Sequence, residues 1–303
     1  MEQGKKWLAG ELAAPATIAR VLLVSRQSLY KKTRPRQLRI VKPAPRPVVR
    51  EVVLNAAIGP DVMPVEEALI VLARRHVAYG YRQLWSKLRR AGYIVNRKKV
   101  QRLLRLWNYT LTRPRPHPKP QGRPFDISKP NQLWQTDMTA IWCGEDGWAY
   151  LTLVTDCFCR SILGWSFGLR CRARDFSPAL EMAWSTAFPY GVDKTEIAEL
   201  IVRHDNGTQF TSQHYRDIAS GLGVKLSRTR YRHPDGNALV ERIFLSLKRE
   251  EVWPSEYENF EEAKAAVHAW LVDYNTERPH QSLNNRTPSE VRAAALTPTQ
   301  SAA

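Results

Sequence analysis

Three acidic residues in the second half of the sequence lie in segments that are otherwise rich in apolar residues. Asp137 lies inside a strand-like segment, Asp205 ends another, and Glu241 follows one turn into a helical segment, with 35 residues between Asp205 and Glu241. Burying a carboxylate is costly unless a cation neutralises it. Three oxygen ligands without a set of His or Cys favour magnesium or manganese over zinc. The residue types therefore indicate a divalent-metal site.

Each of these carboxylates also has an ordinary structural interpretation. Asp137 could be an edge or turn residue, and Asp205 precedes Asn-Gly, a pair that favours turns. Glu241 could pair with its neighbour Arg242 on a helix surface. The residue types alone leave both interpretations open.

The elements that would hold these carboxylates follow from the hydrophobic pattern after residue 131. Three consecutive strand-like segments joined by tight connections predict an antiparallel meander, followed by a mixed layer of helices and strands with crossovers. The predicted strands are 133–142, 148–155, 161–167, 200–203 and 224–226, and the predicted helices are 175–187, 211–220 and 237–250. Apolar residues from Phe260 to Tyr274 predict a further amphipathic helix that packs against this layer.

The first 130 residues are strongly basic. They hold 28 Lys and Arg residues against 7 Asp and Glu, whereas residues 131–303 hold 18 against 22. A segment with that excess of positive charge repels itself unless it meets a polyanion, so nucleic acid is the leading candidate partner. A solvated basic surface kept for solubility is the alternative.

Two helix-turn-helix patterns lie in this basic part, at 17–30 and at 81–107. In the second pattern Asn96 can cap a helix 97–107. Such a helix fits the major groove, where arginine reaches phosphates and guanine edges. The candidate DNA contacts on it lie away from its apolar face and are Arg97, Lys98, Gln101, Arg102 and Arg105. An ordinary three-helix packing unit with solvated arginines is the alternative.

Two proline-rich basic stretches divide the chain, because proline disrupts helix interiors and favours extended linkers. The predicted order is an N-terminal helix-turn-helix-like segment 1–41, a linker 42–50, a second helix-turn-helix-like DNA-binding domain 51–112, a basic linker 113–130, a catalytic core 131–252 and a C-terminal helical tail 253–303.

Several classes of protein are excluded by composition. No stretch approaches the roughly 18 apolar residues that a membrane helix needs, and the start of the chain lacks an apolar export signal. The four cysteines lack zinc-finger spacing, so neither a disulfide framework nor structural zinc is expected. We expect an unexported cytoplasmic protein without a membrane partner.

Seven short motifs, in their order and spacing, resemble those of the D,D-35-E transposases and integrases. They lie at 24–26, 79–100, 134–139, 205–210, 240–242, 247–248 and 274–280, and include Trp-Gln-Thr-Asp-Met-Thr around Asp137 and Asp-Asn-Gly-Thr-Gln-Phe from Asp205. More narrowly, the sequence is similar to the integrase-like second-frame transposase of bacterial insertion sequences of the IS-three type.

The resemblance implies an α/β, RNase H-like catalytic core behind helix-turn-helix units, with Asp137, Asp205 and Glu241 as a metal-binding catalytic triad. Two magnesium or manganese ions about 4 Å apart would hold a phosphodiester between them. Double-stranded DNA, as element ends and target, would be the substrate, and the enzyme would assemble as a homo-oligomer on DNA in the bacterial nucleoid. A first-frame partner protein or fusion is a further candidate, since the sequence lacks a leucine-zipper segment.

We also assign roles to residues outside the predicted triad. Gln209 would orient the metal loop or contact DNA, and Arg228, Arg230 and Lys248 would contact DNA. Asp156 and Arg160 are interpreted as a structural ion pair after the second strand.

Three functions compete at this point. The leading one is metal-dependent DNA strand cleavage and transfer during transposition. A catalytically idle, domesticated regulator that binds element ends would use the same basic units but would not need the three carboxylates, and all three are present. A host nuclease on the same fold is disfavoured, because degradative nucleases rarely need two helix-turn-helix readers.

Overall fold

A computed structural model describes residues 57–109, 127–192, 199–205, 207–229 and 237–297, all within one compact unit, Pro45–Ala303. Several predictions lie outside the described residues: the first helix-turn-helix segment, the linker 42–50, most of the linker 113–130, and Arg230. Helices and strands are numbered below in chain order over the described residues.

Three helices form a helical unit, residues 57–109. They are α1 (Val65–Arg75), α2 (Tyr81–Arg90) and α3 (Arg97–Leu106). The side chain of Asn96 accepts a hydrogen bond from the backbone N–H of Lys98 at 2.8 Å, so α3 begins where the sequence predicts a cap. The helices close around one apolar core, whose fully buried members include Leu69, Leu84, Leu88, Val100 and Leu104.

A mixed five-stranded sheet follows the helical unit. The meander consists of β1 (Leu133–Trp142), β2 (Trp148–Asp156) and β3 (Ile162–Gly168), all antiparallel, while β4 (Ile201–His204) and β5 (Lys225–Arg228) run parallel to β1. The order across the sheet is β3-β2-β1-β4-β5, which makes β1 the central strand. All five predicted strands are confirmed to within two residues.

Five helices accompany the sheet: α4 (Ala173–Ala187), α5 (Gln213–Gly221), α6 (Ala238–Leu247), α7 (Phe260–Thr276) and α8 (Pro288–Leu296). One apolar cluster joins α6 and α7 to one face of the sheet, and a second joins α4 and α5 to the other face. The prediction that the segment from residue 260 packs as a helix against the catalytic layer is confirmed, and this helix shares a core with α6.

The regular geometry of α6 ends earlier than the sequence predicts. Lys248–Val252 form a π-helical turn, and the backbone N–H of Trp253 donates to the carbonyl oxygen of Lys248 at 2.7 Å. The predicted helix 237–250 therefore combines an α-helix with a wider turn, which rotates the residues after Leu247 relative to those before it.

The predicted ion pair between Asp156 and Arg160 is wrong. The partner of buried Asp156 is Arg292 of α8, at 3.3 Å. The backbone N–H groups of Asn131 and Phe158 also donate to this carboxylate. Arg160 lies in the turn after β2 with a positive φ of 63° and donates only its backbone N–H to the carbonyl oxygen of Asp156.

The helical unit contacts the C-terminal helices through charged side chains of α2. Arg90 pairs with Glu290 of α8 at 2.8 Å, and Lys87 lies 3.5 Å from Glu277 and 3.9 Å from Asp273. We call this set of ion pairs the docking contact.

No helix in the described parts of the chain is both long enough and apolar enough to cross a membrane. The four cysteines are free thiols: Cys143, Cys157, Cys159 and Cys171.

Candidate active site

Asp137 and Asp205 occupy matching positions on neighbouring parallel segments. The ladder between β1 and β4 pairs Gln135 with Arg203, and two residues further along each segment come Asp137 and Asp205. Adjacent strands lie about 4.8 Å apart. The topology therefore brings both acidic residues to the same level of the sheet, one in the central strand and one at the end of its neighbour.

The first turn of α6 is fastened to the same stretch of β1 by Gln135. The side-chain oxygen of this buried residue accepts hydrogen bonds from the backbone N–H groups of Leu239 at 3.2 Å and Val240 at 3.3 Å. The free N–H groups at the start of a helix need such acceptors. Glu241 follows directly after Val240, so this contact sets where its backbone lies.

A second contact joins the residue before α6 to β1. The side-chain amide of buried Asn237 donates to the carbonyl oxygen of Thr136 at 3.0 Å. Thr136 is the neighbour of Asp137, so α6 is tied to β1 at two residues in succession. The elements that carry Asp137 and Glu241 are therefore fixed to one another near both carboxylates.

Asp205 and Glu241 both act electrostatically on Asp137. Burial, reinforced by the negative charges of Asp205 and Glu241, raises the pKa of Asp137 to about 7. The backbone N–H of Met138, which donates to Asp137 Oδ1 at 2.8 Å, and the positive charge of Lys248 oppose this rise in pKa. The fold thus brings the three predicted residues together into one acidic site.

The donor chemistry of this site fits a divalent cation. Its ligands would all be carboxylate oxygens, as magnesium and manganese prefer, and a cation would favour the ionised form of Asp137 that burial now disfavours. In the parts of the chain that the structure describes, however, no three His, Cys, Asp or Glu side chains are grouped closely enough to hold a metal ion. The three carboxylates are therefore neighbours, but they are not gathered closely enough to surround one metal ion.

The loop that carries Asp205 is held by short local contacts. The backbone N–H of Gly207 donates to Asp205 Oδ1 at 2.9 Å. Buried His204 has its Nδ1 2.6 Å from the carbonyl oxygen of Asp205. A Cβ atom at position 207 would come within 2.8 Å of Gln209 Oε1 and 3.0 Å of Asp205 Oδ1. A side chain at position 207 would therefore force Gln209 to move away from the loop and would crowd the carboxylate of Asp205.

Gln209 lies against this loop. Its side-chain amide also donates to Cys171 Sγ at 3.3 Å, and Cys171 lies between β3 and α4. This position supports the expected role in orienting the loop that carries Asp205.

Of the other predicted DNA contacts, Lys248 lies close to the acidic site and Arg228 lies on the neighbouring edge strand. Lys248, in the π turn, is half-buried and close enough to lower the pKa of Asp137. Arg228 is exposed at the end of β5, paired in register with His204. The structure therefore brings Lys248 to the carboxylates and leaves Arg228 on the adjoining edge strand.

The predicted DNA contacts of α3 lie on its outer surface. Arg97, Lys98, Arg102 and Arg105 are exposed, and Gln101 is half-buried. Buried Val100 and Leu104 face the core of the helical unit. The separation of a charged face from an apolar face agrees with the predicted pattern.

Gln135 and Asn237 are positioning residues that the sequence reasoning missed. A signal for Gln135 was present, because a polar residue two positions before Asp137 lies on the same face of a strand. Asn237 precedes a helix start, where a cap would be expected, yet its side chain bonds to β1. Its partner could be found only from the tertiary structure.

Comparison with protein families gives three matches along the chain. Two models described as "Integrase core domain" match residues 127–234 and 222–288, and one described as "HTH-like domain" matches residues 65–117. The second integrase-core match includes Glu241 and all of α7.

Several known proteins with similar sequences are described as transposases of insertion sequence elements. A putative transposase for insertion sequence element IS986/IS6110 from Mycobacterium tuberculosis is 30% identical over 241 residues, which cover 74% of this chain and 84% of that protein. The transposase for insertion sequence element IS904 from Lactococcus lactis is 29% identical over 226 residues, which cover 70% of this chain and 86% of that protein.

Among solved structures, a chain of the simian T-cell lymphotropic virus intasome, in complex with PP2A regulatory subunit B56 gamma, aligns with a TM-score of 0.48. Its sequence is 16% identical, and the alignment covers 76% of each chain.

Proposed function

This chain belongs to the insertion-sequence transposases with an integrase core domain, and we propose that it cleaves and joins DNA strands at the site formed by Asp137, Asp205 and Glu241. The observation that carries the assignment of the site is the convergence of these carboxylates, in which Asp205 and Glu241 both raise the pKa of half-buried Asp137.

In this proposal the three carboxylates would hold two magnesium or manganese ions. When bound, such ions activate the attacking oxygen, from water or a DNA 3′-hydroxyl, and stabilise the leaving 3′-oxygen. Asp137 and Asp205 supply oxygen ligands from two neighbouring strands, and Glu241 supplies them from α6. No serine or tyrosine nucleophile is required.

The surrounding residues of the chain hold these ligands in place. Gln135 and Asn237 fix α6 against β1, and the N–H of Gly207 orients the carboxylate of Asp205. The ammonium group of Lys248 lies where it can contact a phosphate beside the carboxylates. Preorganisation of this kind removes reorganisation from the reaction step.

The helical unit binds double-stranded DNA in this proposal, through the exposed face of α3. The match of residues 65–117 to an HTH-like domain supports this role. Assembly as a homo-oligomer on element ends, action in the bacterial cytoplasm and a first-frame partner remain predictions from the family resemblance.

A strand-cleavage and joining assay on element ends tests the catalytic assignment. Asp205→Asn and Glu241→Gln are expected to abolish both reactions while DNA binding survives, because the helical unit is unchanged. Glu181→Gln is the matched control, since Glu181 is an exposed glutamate on another helix of the same domain. The assay is run with and without the first-frame polypeptide.

Activity retained in the Asn or Gln variant would eliminate the assignment. A wild-type chain that binds element ends but cleaves nothing under either condition would favour the idle regulator instead. Manganese should also raise the melting temperature of the wild type more than that of Asp205→Asn, as a ligand specific to the native site must.

A further inference from the structure

Three exposed arginines follow β3, in a five-residue segment that ends inside the first turn of α4: Arg170, Arg172 and Arg174. We propose that this arginine segment, residues 170–174, binds backbone phosphates of the DNA strand next to the bond that is cut. The inference deepens the proposed function, on which it rests, by assigning a substrate-binding surface beside the acidic site.

The position of the segment is set by Cys171, which lies between the arginines. Its Sγ atom is 3.9 Å from Sδ of Met138, and the backbone N–H of Met138 donates to the carboxylate of Asp137. On its other side Cys171 accepts a hydrogen bond from Gln209. Gln209 in turn lies against the loop that carries Asp205. Cys171 therefore contacts the residue that follows Asp137 on β1 and the residue that lies against the loop of Asp205.

The segment is held on the C-terminal side by the start of α4. Asp175 accepts a hydrogen bond from the backbone N–H of Arg172 through its carboxylate at 2.9 Å. Its carbonyl oxygen accepts another from Ser166 Oγ of β3 at 2.9 Å. These contacts fix the backbone while leaving the three guanidinium groups at the surface.

None of the three guanidinium groups has an ion pair or a side-chain hydrogen bond within the described parts of the chain. Other arginines are used structurally: Arg278 pairs with Glu250, and Arg292 pairs with Asp156. The nearby carboxylate of Asp175 is engaged by a backbone N–H. Three cations therefore flank Cys171, which contacts Met138 and Gln209, and none of them is used in an ion pair among the described residues.

The chemistry of the substrate explains this arrangement. A phosphodiester that approaches three carboxylates is repelled by them, and flanking cations offset that repulsion. A guanidinium group also presents paired N–H donors that match two phosphate oxygens. The segment would thus hold the strand on either side of the scissile phosphate without contacting the reacting atoms.

A thermodynamic cycle between the arginines and the DNA phosphates tests the proposal. The chain with Arg170→Ala, Arg172→Ala and Arg174→Ala is compared with the wild type on DNA in which single phosphates near the cleavage position are replaced by neutral methylphosphonates. Affinity is measured without divalent metal, and cleavage is measured with it.

In the wild type, neutralising the phosphate that the segment binds should weaken binding on the order of tenfold. In the triple variant the same replacement should have no further effect.

Two controls separate a local contact from general charge or misfolding. Arg216 and Arg286, exposed arginines on α5 and on the turn before α8, are replaced by Ala in one chain, which should keep the full sensitivity to methylphosphonate. A variant with Lys at positions 170, 172 and 174 keeps the charge and should recover part of that sensitivity, even if the triple Ala chain folds poorly.

Additive effects of the arginine and phosphate changes, or equal losses in the Arg216 and Arg286 control, would overturn the inference. If the wild type cleaves but shows no coupling at any phosphate, the inference fails and the proposed function stands. If coupling is present but the wild type never cleaves, the proposed function fails and the arginine segment remains a DNA-binding surface.

Discussion

The side-chain oxygen of Gln135 lies 3.3 Å from the backbone nitrogen of Val240, and this hydrogen bond joins the strand of Asp137 to the helix of Glu241. Without it, and without its companion at Leu239, two N–H groups at the start of α6 would lose their acceptor. The geometry of the acidic site therefore depends on an uncharged residue that contacts neither metal nor DNA in our proposal.

Replacing Gln135 with Leu is expected to destabilise the chain by about 1–3 kcal/mol, because buried donors are left without partners. It should also lower cleavage more than DNA binding. Gln213→Leu is the control, since Gln213 only bonds an exposed Asp217 one turn away and its loss should change little. Denaturant unfolding and the cleavage assay measure both effects, and an unchanged unfolding free energy for Gln135→Leu would contradict the capping role.

Asp137→Asn should stabilise the metal-free chain at pH 8. The pKa of Asp137 is raised to about 7 in the folded chain from its ordinary value of 3.8, so the native state holds a proton that the unfolded chain releases. Between about pH 4 and 7 wild-type stability should therefore fall as pH rises, relative to the Asn variant. The gain at pH 8 is expected to be on the order of 2 kcal/mol, allowing for partial exposure.

Thermal melts of both proteins over that pH range, with chelator present, measure the difference. Added manganese should reverse the order of the two proteins, because the wild type binds the ion more tightly. A constant difference at all pH values would mean that the ionisation of Asp137 does not oppose folding.

Glu250→Gln should destabilise the chain by about 3–5 kcal/mol, since Arg278 would be left as a buried cation without its carboxylate. The two side chains are 2.6 Å apart, and each is 11% exposed. The comparison variant is Glu261→Gln, whose 4.0 Å pair with Lys264 is largely exposed and should contribute little. If the two substitutions lowered the free energy of unfolding in urea equally, the buried pair would contribute no more to stability than the exposed pair.

Arg102→Ala combined with Arg105→Ala should weaken DNA binding and leave the melting temperature unchanged, because both side chains lie outside the core of the helical unit. Each lost phosphate contact should reduce the slope of log K against log salt by about 0.9. Arg90→Ala is the comparison, since Arg90 is engaged by Glu290. A slope that changes only in the Arg90 variant would assign DNA binding to α2 instead.

Lowering the pH should reduce the stability of the folded chain through His76. The ring of His76 stacks on the ring of Tyr79, with 4.4 Å between their centroids. Burial, with the positive charges of Lys87, Arg75 and Arg278, lowers the pKa of His76 to about 4. An unfolded histidine takes up a proton near pH 6.5, so stability should be lost as the pH falls from about 6.5 to about 4. His76→Phe keeps the stack and should remove part of this loss in a pH series of thermal melts.

The mixed sheet, with helices on both faces, and the integrase-core match confirm the expected RNase H-like α/β fold. Its strands were predictable because β1 and β2 are rich in aromatic, aliphatic and threonine residues and are joined by a short turn that contains Gly144 and Gly147. The approach of Asp137 to Asp205 was implied by the motif spacing, although only the parallel pairing of β1 with β4 explains it.

Contacts between distant segments could not be predicted in this way. Arg160 is close to Asp156 in sequence, yet helix α8 brings Arg292 to that carboxylate from 136 residues away. The π turn after Leu247 also has no local signal, because one extra residue in a turn leaves the hydrophobic pattern of α6 intact. Each case depends on how separate elements pack, which periodicity within one element does not record.

The docking contact reduces the role of the covalent connection between the helical unit and the sheet in holding the two parts together. Charged groups already hold α2 to α7 and α8, so the polypeptide between residues 109 and 127 serves mainly to keep the effective concentration of one part near the other high. Two fragments divided in that interval would therefore co-purify in dilute buffer and part as the ionic strength rises, since salt weakens ion pairs that are partly exposed to solvent.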